Sequence, residues 1–205
     1  MTEQNSSASD VRAGLLAAAR AELIDRGHAA ISLRAVARRA GVSHAAPKYY
    51  FADRAALLTA VAIQGFTELT AALARVSSSL AAVGHTYIDF GLNNPALFDL
   101  MFRPSELHPT DPDLEKAQHA AIGMLNAAVA VAESSQGDPS EPGSQALTLI
   151  SWALAHGLTV LARDGALQSA TNSAPGTGAD LARGLADAFT ERITTQPTNQ
   201  ATPTS

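Results

Sequence analysis

Apolar positions along this chain recur at intervals of three and four residues, the period of an α-helix. The sharpest instance runs from Ile31 to Leu58, ISLRAVARRAGVSHAAPKYYFADRAALL. Leu33, Val36, Ala37 and Ala40 fall at i, i+3, i+4 and i+7 and form one apolar helical face. Ser32 stands where an N-cap belongs, with Ile31 and Val36 at the spacing of a hydrophobic staple. Gly41 supplies the left-handed residue that ends a helix. Ser43 is placed to cap a second helix, with Val42 and Pro47 again at staple spacing. Two short helices across a glycine turn predict a helix-turn-helix, whose second helix enters the DNA major groove. Upstream, Val11, Leu15, Ala18, Ala19 and Leu23 predict a helix from a cap at Ser9 or Asp10 to about Arg26, ended by Gly27 and packed behind the other two. Residues 1–9 are small and polar and read as a disordered tail.

Downstream, Asp53 can cap a long helix through Leu57, Leu58, Val61, Phe66, Leu69, Leu73 and Val76. Leu80 to Leu92 reads as a further helix, broken at Asn93-Asn94-Pro95, and Pro95 suits the first turn of a short one, PALFDLMF. Arg103 to Pro112 holds three prolines and reads as a loop. Its Glu106 and Asp111, with Asp113 just beyond, are expected to be solvated, and Asp111 is in position to cap. A helix from Leu114 to about Glu133 follows, then the linker SSQGDPSEPGS. Ser144 to Asp164 is the most apolar helix. It falls short of the roughly 18–20 apolar residues of a membrane span, and Ser, Thr and His interrupt it. A helix apolar nearly all round is buried on several sides, here expected to be a domain core and a subunit interface. Gly165 to Gly178 reads as a flexible loop. Leu181, Leu185, Ala188, Phe189 and Ile193 predict a last amphipathic helix, and residues 195–205 a disordered tail.

Composition sharpens this all-α picture. The chain is rich in Ala and Leu, and it has no cysteine, which excludes disulfides and thiolate metal sites. The net charge of −5 hides an asymmetry: residues 1–54 hold eight Lys/Arg against five Asp/Glu, whereas the remainder holds six against fourteen. A basic head on an acidic body suits a protein that docks on nucleic acid by one end. No secretory signal is visible, so a cytoplasmic protein is expected. No phosphate-cradling glycine loop, nucleophile motif or suggestively spaced carboxylate pair is present, so no enzyme is expected. His85 and Asp89 share a helix face, but a metal site would need further ligands.

Arg34, Arg38, Arg39, His44, Lys48 and Arg54 lie off the apolar face of the reader, with Tyr49 and Tyr50 interleaved. Positive charge there supplies sequence-independent affinity, and small residues such as Ala45 and Ala46 let the backbone approach base edges. The pattern Ala-Arg-Arg-Ala-Gly-Val-Ser (37–43), then Tyr49-Tyr50-Phe51-Ala52-Asp53-Arg54 and Leu57-Leu58, resembles the DNA-binding domain of the tetracycline-repressor (TetR/AcrR) family. Pro47 departs from it. Lacking an N–H and restricting Ala46, it predicts a recognition helix that bends or begins as a tighter turn.

The resemblance implies a helix-turn-helix domain over 10–54, joined by a long helix to a ligand-binding and dimerisation domain over 55–194. It implies base-reading or recognition-face roles for Arg34, His44, Ala45, Lys48 and Tyr49, and phosphate contacts for Ser43, Tyr50 and Arg54. Trp152 followed by His156-Gly157 resembles a C-terminal subtype of the family named for its Trp-His-Gly signature. The implied partners are a duplex operator, a small-molecule effector of unknown identity, and a second copy met through the helices at about 144–164 and 179–193, with no membrane, metal or cofactor. Phe66, Tyr87, Phe90, Phe98, Met101, Phe102, Met124, Trp152 and His156 are the candidate effector contacts, with ordinary core as the default reading of each. The resulting expectation is a ligand-responsive repressor. A constitutive or architectural DNA-binding protein, and a helical carrier or enzyme with a vestigial reader, stay open beside it.

Overall fold

The computed structural model describes residues 2–76, 78–134 and 143–195, whose regular structure is helical throughout. The α-helices are α1 (Thr2–Arg26), α2 (Leu33–Arg39), α3 (Arg54–Leu73), α4 (Leu80–Asn93), α5 (Pro95–Met101), α6 (Pro112–Ser134), α7 (Gly143–Arg163), α8 (Ala166–Thr171) and α9 (Gly178–Thr195). Single 3₁₀ turns occupy His28–Ala30, Ala46–Tyr49 and Pro104–Glu106.

Local chemistry sets many of these ends. Ser32 Oγ accepts the Ala35 N–H at 3.2 Å and starts α2. At the other end Gly41, at φ +68°, closes the helix: its N–H reaches Arg38 O at 3.3 Å and the Val42 N–H reaches Ala37 O at 3.1 Å, the paired bonds of a Schellman motif. Asp53 Oδ1 caps α3 through the Ala56 N–H at 2.8 Å, Ser79 caps α4 through Ala82 at 3.2 Å, and Asp111 caps α6 through Leu114 at 3.0 Å. Asp111 is therefore half-buried and engaged rather than solvated, whereas Asp113 is exposed.

Three elements differ from the pattern-based expectation. The second helix of the reader is the 3₁₀ turn Ala46–Tyr49, whose N-cap is Ala45 with no side-chain cap, so Ser43 contributes its carbonyl to Ala46 N–H rather than its hydroxyl. Pro47 is the physical reason: it brings no N–H and restricts the residue before it. Helix α1 already runs from Thr2, because extending an existing helix needs no new nucleus. Within the stretch 165–178, read as a loop, lies helix α8, bounded by left-handed Gly165 (φ 76°) and Asn172 (φ 51°) and held by buried Leu167. Most of the predicted linker (135–142) and the tail from 196 lie outside the described residues.

The chain divides into two compact units. One comprises residues up to Leu69 together with Asn94–Ala120. Its core joins Leu15, Leu16, Ala19 and Leu23 of α1, Val36 of α2, Phe51, Leu57, Leu58 and Val61, and Leu97, Phe98, Leu100 and Met101 of α5, all buried. The packing gives this unit the first four turns of α3 and the whole of α5, whose leucines and methionine close its core. Gly65 is part of that closure, since a Cβ there would meet Met101 Sδ at 2.6 Å. The other unit comprises Thr70–Asn93 and the residues from Ala121 onward. There α4, α7, α8 and α9 pack around Ile88, Leu158, Ala162, Leu167, Ala182 and Ala186. Helix α3 and residues 145–163 are long and apolar enough to cross a membrane by length and composition. In α3 that character belongs to core leucines, whereas α7 leaves Leu149, Ile150 and Leu161 exposed.

Candidate nucleic-acid interface

The cations of the head sort into two sets. Arg39 is committed to α1: its Nε donates to Glu22 Oε1 at 2.7 Å and its Nη2 to Asp25 Oδ2 at 2.5 Å. Arg20 pairs with Glu68, and Arg26 lies 3.6 Å from buried Glu22. Arg54 donates through all three nitrogens, to Ile31 O (2.9 Å), His28 O (2.6 Å) and Glu106 Oε2 (2.5 Å). Its guanidinium thus ties the α1–α2 turn to the α5–α6 segment, and its partner there is the half-buried Glu106, a residue that the loop pattern placed in solvent. That guanidinium holds the Glu106 carboxyl below its ordinary pKa. His28 lies between Asp99 and Glu106, at 3.7 and 3.6 Å, and His108 reaches Asp53 at 3.1 Å. The Asp53 carboxyl is lowered first by the Ala56 N–H and then by His108.

The second set is exposed and uncommitted. Among the described residues, the side chains of Arg34, Arg38, His44 and Lys48 make no ion pair or hydrogen bond. Ser43 and Ala45 are exposed beside them, Tyr49 is 84% exposed, and Tyr50 is half-buried. A Tyr so exposed between cations costs apolar hydration with no return inside the chain. The set therefore has the composition of a duplex-facing surface: cations for phosphate, an aromatic and small residues for bases. One further cation of the same head is not marked by any motif in the sequence. Exposed Arg12 of α1 has its guanidinium carbon 5.5 Å from the centroid of the Phe51 ring, a pairing across 39 positions that no local pattern signals.

The candidate effector contacts fall in both units. Phe66, Phe98 and Met101 are core of the first, at 3%, 1% and 1% exposure, with half-buried Phe102 edge-on to Phe66 at 5.5 Å and tilted against Phe98 at 5.0 Å. The second holds half-buried Phe90 and Met124, and a polar chain: Trp152 Nε1–H donates to Tyr87 Oη at 3.2 Å, and Tyr87 Oη lies 3.0 Å from His156 Nδ1. Tyr87 has one proton, and burial raises its pKa, so the phenol stays protonated. Burial, with a smaller contribution from Arg163, lowers that of His156. The consistent arrangement is a phenol O–H donating to a neutral imidazole whose proton sits on Nε2. One turn away, Ser151 Oγ is buried with no hydrogen-bond partner, whereas Thr86, Thr159 and Thr190 each donate to the carbonyl four residues back. His85 and Asp89, which share a face, part company: His85 lies 2.7 Å from Asp187, and Asp89 accepts from Arg183 at 2.5 Å.

Two family models match the chain: bacterial regulatory proteins of the tetR family over residues 15–61, and the tetracycline repressor-like C-terminal domain over residues 80–188. Among solved structures it is similar to a protein of unknown function from Rhodococcus sp. RHA1, with 33% identity, 89% of this chain and 94% of that one covered, and a TM-score of 0.74. A TetR family transcription regulator from Marinobacter aquaeolei VT8 shares the fold at 22% identity, with 91% and 96% covered and a TM-score of 0.58. LfrR from Mycobacterium smegmatis, a TetR-like regulator solved with proflavine, shares it at 24% identity, with 90% and 94% covered and a TM-score of 0.53. No curated protein matches.

Proposed function

Because the chain belongs to the tetracycline-repressor family, and is thereby a DNA-binding regulator of transcription, we propose that it is a dimeric repressor released from a two-fold-related operator by a small molecule. The observation that carries the DNA part is the division of the head's cations. Carboxylates pair with Arg20, Arg26, Arg39 and Arg54, and they leave Arg34, Arg38, His44 and Lys48 exposed around Tyr49. Dimerisation is supported by exposed Leu149, Ile150 and Leu161 on α7 and Leu185 on α9, an apolar face for which a second copy is the fitting cover. Two heads on a dimer would then meet half-sites about one DNA turn, or a multiple of it, apart.

The effector reading rests on the second unit. Among its described residues the buried polar side chains are the hydroxyls of Thr148, Ser151 and Thr159, with Tyr87 and a neutral His156 nearby in the chain of bonds. An ionised ligand would need a buried counter-charge, so this lining suits an uncharged, largely apolar molecule with one or two hydrogen-bonding groups, for which Ser151 Oγ offers an unused partner. Such a ligand would act by its differential affinity for body conformations, favouring one in which the two heads no longer match the half-site spacing.

The test is selection of bound sequences from a random duplex pool at two salt concentrations. A two-fold-related motif that survives the higher salt is expected, and the motif then serves to screen uncharged compounds for release. Binding without a motif, collapsing steeply with salt, would overturn the operator reading.

A further inference from the structure

We propose that Arg12, on helix α1, is a phosphate-contacting residue of the DNA surface, held in place for that purpose by the ring of Phe51. This rests on the DNA-binding reading above and adds a third element to a surface so far built from α2 and the turn after it. Phe51 is 3% exposed and directly follows the recognition turn, its N–H bonded to Pro47 O at 2.9 Å. A cation 5.5 Å from that ring's centroid is therefore fixed to the end of the turn that carries Lys48, Tyr49 and Tyr50. A cation–ring contact uses none of the guanidinium's N–H donors, so they stay available for the bidentate bonds that match a phosphate.

The charges around Arg12 fit this role. No carboxylate pairs with it among the described residues, in contrast to Arg20 and Arg26 farther along the same helix, which are drawn to Glu68 and Glu22. The side chain is exposed, so it is not spent on core packing. An arginine held by the reader's last aromatic residue and by no carboxylate is pre-positioned without being neutralised. A phosphate contact from a partly immobilised side chain costs less ordering entropy than one from a free arginine.

The experiment measures affinity for a short duplex of random sequence across a sodium chloride series, by fluorescence anisotropy, for the full chain and three variants. Arg12→Met keeps the aliphatic stem on Phe51 and removes the charge. Arg12→Lys keeps the charge. Arg192→Met, on the exposed face of α9, removes a charge elsewhere. The plot of log K against log salt should flatten in Arg12→Met by about 0.9 for each phosphate no longer neutralised, hence about 1.8 for two subunits on one duplex, while Arg12→Lys and Arg192→Met keep the wild-type slope. An unchanged slope in Arg12→Met overturns the proposal, as does an equal flattening in Arg192→Met. A wild-type chain with no salt-dependent binding overturns the DNA reading itself, which separates the two failures. Thermal melting of each variant shows whether a loss of binding is a loss of fold, and a further variant, Arg12→Gln, which also removes the charge and should flatten the slope equally, keeps the question decidable if Met unfolds the head.

Discussion

Replacing Tyr87 with Phe removes one oxygen from the body and breaks two hydrogen bonds. Trp152 Nε1–H loses its 3.2 Å acceptor and His156 Nδ1 its 3.0 Å donor, while the ring volume stays. Each bond is worth about 1 kcal/mol net, and the indole N–H and imidazole nitrogen left behind recover part of that from water because both residues are half-buried. The expected loss is therefore about 2 kcal/mol for the unit that contains them, or about 4–8 °C in its melting temperature for a chain of this length. Trp152 is the only tryptophan, so its emission during urea unfolding reports this unit and no other. The same signal carries a pH test. Burial holds the folded His156 pKa below its ordinary 6.5, so below that pH the unfolded chain binds the extra proton. Stability from this group is thus complete above about pH 6.5 and declines as pH falls toward the folded value. Protonation also turns Nδ1 from acceptor into donor, so the Tyr87 O–H loses its acceptor. A Tyr87→Phe variant within 0.5 kcal/mol of wild type, or a stability that rises between pH 6.5 and 5.5 on this probe, would refute the arrangement.

The remaining expectations are simpler. Arg54→Met should destabilise the first unit by about 3 kcal/mol in urea unfolding, because two backbone carbonyls and Glu106 lose their donor together. Arg54→Lys should recover only part of this, since an ammonium cannot span three acceptors. If Arg54 works chiefly as this tie, Arg54→Met, which removes the charge, leaves the salt slope of duplex binding unchanged. Gly41→Ala should cost about 1 kcal/mol from its φ of +68° alone, as nothing lies within 4 Å of the added methyl, and a neutral result in thermal melting would mean the turn relaxes freely. Leu149→Glu with Ile150→Glu should convert a dimer to a monomer in sedimentation, with the far-ultraviolet helix signal retained; an unchanged mass would place the interface elsewhere.

Where the information in the chain is local, it was legible. The caps at Ser32, Asp53 and Asp111 and the close at Gly41 are each set by residues within four positions, and the periodicity of α3, α4, α7 and α9 is long enough to stand alone. Helix α8 was not legible because six residues with one buried leucine carry no period; Leu167 is helical within a core it shares with Leu158 and Ala182 of two other helices. The exposed reader face was visible as residue types on a helical wheel. Which of its arginines are free was not, since Arg54 meets Glu106 52 positions away and Arg39 meets Glu22 17 positions back. Opposite charges at those separations look the same in sequence whether they meet or not.

Pro47 shows how far a single residue can be argued from sequence and where that stops. Its missing N–H and the restriction it places on Ala46 predicted a tighter start, and the turn from Ala46 to Tyr49 is indeed 3₁₀. A 3₁₀ turn advances about 2 Å per residue against 1.5 Å in an α-helix and sets side chains three apart in line. Ala46 and Tyr49 are three apart, as are Ala45 and Lys48, so the small residues lie directly behind the tyrosine and the lysine on two adjacent ridges. A duplex that approaches along those ridges meets backbone at Ala45 and Ala46 and side chain at Lys48 and Tyr49. Base reading would then fall on the latter pair, with Tyr49, 84% exposed, as its most prominent member. The helical wheel of an ordinary recognition helix would have spread these four residues over a wider arc, so the proline changes not only where the turn begins but which residues share a line of approach.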